Sequence, residues 1–445
     1  MTEKNTTQDT ESLDFESLGI SPKILAVLTA AGFKKPTPIQ HQAIPIALTG
    51  QDIVGLAQTG TGKTIAFAVP MLQRISREGG QGLVLLPTRE LALQVDEEYQ
   101  KLAKRFGLRT AILIGGASMN VQHAQLKRRP HVIVATPGRL IDLMERRWIA
   151  LDKVNVLVLD EADRMLDMGF MPQIRRILKQ VSVERQTMLF SATMPSEIEK
   201  LAQQFMRTPE RIEAARAGRA SDLVEQSLFV VPKPDKIRLL KYLLKEESGT
   251  VLVFSRTKFG AKRIARDLVR VGESATEIHS NLTLAQRRKA LDGFKSGKYR
   301  VLVATDIAAR GIDVTGISLV VNFDLPEAAE DYIHRIGRTG RAECQGKAIS
   351  FAEPDQGLLV TAIEHRTQVQ LRPQKLPITT SMPIERPNTL INKRKPARRP
   401  GPKFGRRPGG GQPSGGRPGG ARPSGGRPGR GGGRPPRPSS HRRRK

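Results

Sequence analysis

The sequence predicts an α/β protein: two lobes, each built on a parallel sheet, followed by a disordered basic tail. Three observations carry that reading. Between about residues 14 and 372, short apolar runs alternate with longer segments of helical period. The runs are continuously apolar rather than alternating, the pattern of strands covered by helices on both faces. Composition breaks near residue 390: beyond it lie 18 Lys and Arg and no acid, leaving +12 of the formal +30 charge to the first 390 residues.

The first series of runs is IVGLA (53–57), LVLLP (83–87), TAILIG (110–115), VIVAT (132–136), VLVLD (156–160) and TMLFSAT (187–193). The second is VLVFS (251–255), ATEIHS (275–280), VLVAT (301–305), LVVNFD (319–324) and KAISF (347–351). The stretch between the series, RTPERIEAARAGRAS (207–221), has no apolar run and reads as a linker. The expected organisation is a disordered N-terminus (1–13), a first lobe (14–208), a linker (209–221), a second lobe (222–372) and a tail (373–445). In residues 401–445, 24 of 45 positions are Gly or Pro, and PSGGRPG occurs at both 413–419 and 423–429. Such a segment buries too little apolar surface to offset its ordering entropy, and its charge suits a polyanion, with a solubilising spacer as the alternative.

Other classes fall away. The single cysteine, Cys344, excludes internal disulfides and multi-thiolate metal sites. His41, His123, His131, His279, His365 and His441 lack metal-ligand spacing. No apolar run approaches the roughly 20 residues of a membrane span, and MTEKNTTQDTESLD does not read as a signal peptide. The expectation is a soluble, cytoplasmic protein with no membrane partner.

Many runs end in small, polar or charged clusters, and open parallel sheets bind ligands outside the carboxyl ends of their strands. AQTGTGKT (Ala57, Gln58, Thr59, Gly60, Thr61, Gly62, Lys63, Thr64) lies between a strand-like run and a helix-compatible segment. Backbone amides of such a loop wrap phosphate oxygens, Lys63 neutralises the β/γ-phosphates, and the Thr64 hydroxyl ligates Mg²⁺. DEAD (Asp160–Asp163) ends VNVLVLD. Asp160 would hold Mg²⁺ directly or through water, and Glu161 would orient or deprotonate the attacking water. A nucleoside triphosphate and Mg²⁺ are the expected ligands, and the resemblance described next makes that nucleotide ATP.

With these motifs in order, the chain resembles the DEAD-box ATP-dependent RNA helicases over about residues 14–360, and is most similar to the bacterial RhlE-type subgroup. The resemblance implies two RecA-like domains of the P-loop NTPase class, helicase superfamily 2. It assigns adenine reading to GFKKPTPIQ, with Gln40 pairing and Phe15 stacking, within 14–42. It implies that Ser191, Ala192 and Thr193 (SAT) couple to the DEAD carboxylates, Asp163 included, with His334 among the coupling residues. Asp313 is expected at the ATP ribose. Arg338 and Arg341 of HRIGRTGR fall where the family has arginine fingers, on the lobe opposite Lys63.

RNA contacts follow from PTRELA (Pro87, Thr88, Arg89), Gly115–Gly116 and TPGR (Thr136, Pro137, Gly138, Arg139) in the first lobe. In the second lobe they follow from Arg256, Arg287 and Thr305. Contacts of this kind reach the sugar-phosphate backbone, so binding should not depend on base sequence. An internal ion pair is the alternative for Arg89. Where the family usually has Gln-x-x-Arg, this chain has Leu284 and Arg287, with Gln286 two places late. The expected activity is RNA-stimulated ATP hydrolysis coupled to local unwinding of short duplexes or remodelling of RNA–protein complexes. Ribosomal precursors, mRNA-decay complexes and cold adaptation all stay open as settings. A DNA translocase of the same superfamily should lack Phe15, Gln40 and the SAT/DEAD pairing. A non-catalytic RNA clamp should have lost Glu161 or a finger.

Overall fold

A computed structural model describes residues 14–58, 60–213, 224–309, 314, 316–340 and 345–380. All eleven apolar runs become strands. The first lobe holds β1 (Ile53–Leu56), β2 (Gln81–Leu85), β3 (Thr110–Leu113), β4 (Val132–Ala135), β5 (Val154–Leu159), β6 (Gln186–Ser191) and β7 (Glu210–Glu213). They form a parallel sheet in the order β3-β4-β2-β5-β6-β1-β7. The second lobe holds β8 (Val224–Val230), β9 (Val251–Phe254), β10 (Ala275–Ile278), β11 (Val301–Ala304), β12 (Leu319–Asn322) and β13 (Gly346–Ala352). Their order is β10-β11-β9-β12-β13-β8, again parallel.

Period-2 alternation explains why continuous apolar runs were needed. In β1, Ile53 enters one core cluster while Val54 and Leu56 enter the cluster on the opposite face. In β9, Leu252 and Phe254 face one cluster, and Val251 and Val253 the other.

Two expected boundaries move. The linker was placed at 209–221, yet Glu210–Glu213 is an edge strand paired with β1, with Ile212 buried in the first-lobe core. One apolar side chain is enough where a neighbouring strand supplies the hydrogen bonds. The tail was placed from 373, but Gln374 N–H donates to the Leu228 carbonyl (2.8 Å), and Leu376 and Ile378 pack on the second-lobe core. Residues 1–13, 214–223 and 381–445 lie outside the described residues, with the expectations placed on them. Among the described residues no helix is long and apolar enough to cross a membrane.

Candidate active site and RNA face

The loop after β1 turns through left-handed backbone at Gly60 (φ 87°) and Gly62 (φ 90°) and opens helix Lys63–Glu78. A Cβ at Gly62 would sit 2.3 Å from the Gln40 amide nitrogen, so the close approach itself requires glycine. Lys63 is buried, donating to the Ala57 carbonyl (3.0 Å) with Asp160 Oδ1 at 3.8 Å. Thr61 Oγ1 closes the loop on the Gln58 carbonyl at 2.8 Å.

Gln40 performs two jobs. Its Oε1 accepts the Thr37 N–H (2.9 Å) in the capping box of helix Pro38–Leu48, and its Nε2 donates to the Gly62 carbonyl (2.9 Å). Its amide is thus wired into the phosphate loop. Phe15 departs from the expectation: it is 3% exposed and packed in the first-lobe core, leaving no open ring face for a base. The hydrophobic gain of burying an aromatic ring outweighs its display to solvent.

β5 ends in a concentrated acidic site. Asp160, Glu161 and Asp163 are all buried. Glu161 sits in left-handed backbone (φ 54°, ψ 51°), a conformation rare for a side-chain-bearing residue and typical of functional turns. Burial pushes the Asp160 carboxyl up to about 6, against the pull of Lys63 and with the push of Glu161. Arg164, which the sequence reading missed, donates from Nη1 to Glu161 Oε2 at 2.7 Å. Its i,i+3 spacing from Glu161 was the available signal.

Asp163 is the hub of the coupling element. Its Oδ2 accepts from Ala192 N–H (3.1 Å), Thr193 N–H (2.8 Å) and Thr193 Oγ1 (3.0 Å). Its own N–H donates to Ser191 Oγ at 3.1 Å. The Thr193 hydroxyl thus meets the Asp163 carboxylate, whereas the Ser191 hydroxyl meets its backbone N–H.

The second lobe reaches this cluster through helix Ala329–Ile336. A cavity of about 530 Å³ between the lobes is lined by Gln58, Arg164, Ala192, Thr193, His334 and Arg338. Burial, reinforced by Arg164, lowers the His334 imidazole to about 4, so it is neutral. Arg338 is buried, with Nε donating to the His334 carbonyl (3.2 Å). A second missed residue, Arg335, locks this helix: it donates to both Asp306 oxygens (2.6 and 2.7 Å) and to the Asp324 carbonyl (2.6 Å). Thr59, Asp313 and Arg341 lie outside the described residues.

Comparison with known proteins gives the family. The DEAD/DEAH box helicase model matches residues 37–201 and the Helicase conserved C-terminal domain model matches 235–343. The ATP-dependent RNA helicase CshA of Listeria monocytogenes is 43% identical over 366 residues, 82% of this chain and 70% of that protein. The chain belongs to the DEAD-box RNA helicase family. The DEAD-box ATP-dependent RNA helicase CshA of Bacillus subtilis is 42% identical over 369 residues, 82% of this helicase and 75% of that one. Among solved structures, S. cerevisiae Dbp5 bound to RNA and ADP BeF3 superposes with a TM-score of 0.74 at 32% identity, covering 81% of this chain and 95% of that one.

On the expected RNA face, the helicase spreads Arg89 over Gly115 and Gly116, where added Cβ atoms would lie 3.2 and 2.6 Å from its guanidinium nitrogens. Among the described residues Arg89 forms no ion pair. Thr88 caps helix Arg89–Ala103, its Oγ1 accepting the Leu91 N–H at 3.3 Å. Arg139 donates to the Ala117 carbonyl at 3.2 Å. Thr136 and Pro137 begin helix Pro137–Glu145, and the Cβ position of Gly138 faces open space. In the second lobe Arg256 is exposed, and Thr305, following β11, is half-buried.

Arg287 differs from the expectation. Its Nη2 pairs with Glu90 Oε2 at 2.9 Å, and both side chains are buried. Glu90 neighbours Arg89 in PTRELA, so the carboxylate available across the cleft claims the guanidinium. Leu284 packs on the first-lobe core cluster, and Gln286 completes the capping box of helix Leu284–Lys295. The glutamine two places late is thus a helix cap.

Proposed function

We propose that this helicase opens short RNA duplexes, or strips protein from RNA, by RNA-stimulated ATP hydrolysis in a cleft completed by both lobes. The carrying observation is the junction at Asp163. The SAT strand end is hydrogen-bonded to the DEAD carboxylate while His334 and Arg338 face the same cluster from the second lobe.

On this reading the loop 57–64 wraps the triphosphate, and Lys63 exchanges the Ala57 carbonyl for phosphate oxygen. Asp160 is a buried carboxylate short of compensating cation, which with the Thr64 hydroxyl suits Mg²⁺. Bound there, Mg²⁺ would neutralise phosphate oxygens of the nucleotide. Glu161, held by Arg164, takes the proton of the attacking water as its oxygen bonds to the γ-phosphorus and the bond to the ADP oxygen breaks. Arg338, and Arg341 by resemblance, stabilise charge on the transferred phosphoryl group.

Because those guanidinium groups belong to the second lobe, hydrolysis needs closure. Closure also brings Arg256 and Thr305 toward the strand held by Arg89 and Arg139, bending it out of duplex geometry. Contacts to backbone make the activity indifferent to sequence, fitting cytoplasmic work on ribosomal precursors or mRNA-decay complexes. The tail composition supports the RhlE-type subgroup.

The test is Glu161→Gln. ATP and RNA should still bind, and turnover should fall by about 10² or more, the range for a positioned general base. Turnover within a factor of two of the parent would overturn the assignment.

A further inference from the structure

The second-lobe sheet has a crevice of its own that the ATP site does not use. From β9 the chain leaves to β10 and returns through β11 on one side, while β12 and β13 lie on the other. The carboxyl ends of β9 and β12 therefore flank a topological switch point, where open α/β sheets take ligands. An open cavity of about 860 Å³ lies there, bordered by residues that follow β8, β9, β12 and β13.

Its chemistry is specific. Asp324 on its floor accepts the Arg256 N–H (3.0 Å) and the Ser255 hydroxyl (3.2 Å), and lies 3.3 Å from Lys236. Glu353 pairs with the same lysine at 2.9 Å. The acids are thus engaged, and Lys236 is buried beneath them. On the rim, Lys233, Arg256 and Arg263 are exposed, and none forms an ion pair among the described residues. Beside them Phe259 is 72% exposed, with the Lys258 ammonium 5.3 Å from its ring centroid and hydrogen-bonded to Asn281 (3.0 Å). Its neighbour in the cavity, Phe323, is buried against Phe351. An aromatic ring displayed to water among three uncommitted cations is poor packing but a good platform for a base whose phosphates are neutralised on either side.

We propose that this crevice is a single-strand RNA subsite in which Phe259 stacks one unpaired base and Lys233, Arg256 and Arg263 hold the flanking phosphates. It rests on the RNA-helicase reading and deepens it, because Arg256 belongs both to the expected RNA track and to this cavity. The strand leaving the cleft is captured here, so the subsite favours unpaired over paired nucleotides.

The experiment measures affinity of the full chain for a short single-stranded RNA and for an abasic RNA of equal length. Phe259→Ala should weaken binding to the normal RNA roughly five- to 150-fold, the range for one stacked base, and Phe259→Trp should restore it. On abasic RNA the parent and both variants should bind alike. Equal affinity of parent and Phe259→Ala for normal RNA would overturn the proposal and point to a protein partner at the ring. An equal loss on normal and abasic RNA would also overturn it, since the ring would then act without a base. A parent chain that binds neither RNA would instead refute the helicase reading itself.

Discussion

Replacing Arg287 with methionine should cripple closure rather than chemistry. Its guanidinium reaches Glu90 across the cleft at 2.9 Å, with side-chain exposures of 9% and 5%. Apart, both groups would be hydrated; together, each relies on the other. Removing one partner of a buried pair costs about 3–5 kcal/mol because the remaining charge is stranded. Glu90 Oε1 and Arg287 Nε have no hydrogen-bond partner, so the pair is incompletely satisfied and the lower end applies. About 3 kcal/mol is two powers of ten in the closed population. Fluorescence energy transfer between dyes on the two lobes, with RNA and a non-hydrolysable ATP analogue, reads that population directly. The double variant Glu90→Met/Arg287→Met should recover most of the loss, because an apolar pair of similar volume avoids the stranded charge. Closure of Arg287→Met within a factor of two of the parent, or a double variant as impaired as the summed singles, would refute the reasoning.

Gln40→Ala should erase an ATP-over-GTP preference of about 1–3 kcal/mol, the value of a bidentate base contact, read as the ratio of kcat/KM for the two nucleotides. Equal use of both by the parent would sink the adenine-reading role. His334 is held neutral by burial first and Arg164 second, in a setting that also includes Asp163, Arg338 and Asp331. Its imidazole titrates near 4 when enclosed but near 6.5 when exposed, so the enclosed state binds fewer protons and loses stability as pH falls through that window. Closure measured from pH 7 to 5 should weaken in the parent and weaken less in His334→Gln; parallel profiles would exclude the histidine.

The architecture was legible because buried parallel strands are apolar without interruption, as IVGLA and VLVLD are. β7 and β8 escaped notice because ERIE and VEQSLFV keep polar side chains at edge positions, where only one flank is covered. The phosphate loop and the acidic strand end were legible because their chemistry depends on local spacing. Phe15 and Arg287 were not, because their environments come from segments far away in sequence. Arg164 and Arg335 were hidden for a related reason: an arginine in a polar motif looks like surface until a carboxylate is found opposite it.

Leu284 gives the clasp between the lobes a thermal character. Half-buried on the first-lobe core beside the Glu90–Arg287 pair, it sheds hydrating water each time the lobes meet. Apolar burial weakens on cooling, and the desolvation penalty of an ion pair grows as temperature falls. Both halves of the clasp therefore loosen together in the cold and tighten together in warmth. The step that limits the cycle should migrate accordingly, from reopening when the protein is warm to closing when it is cold.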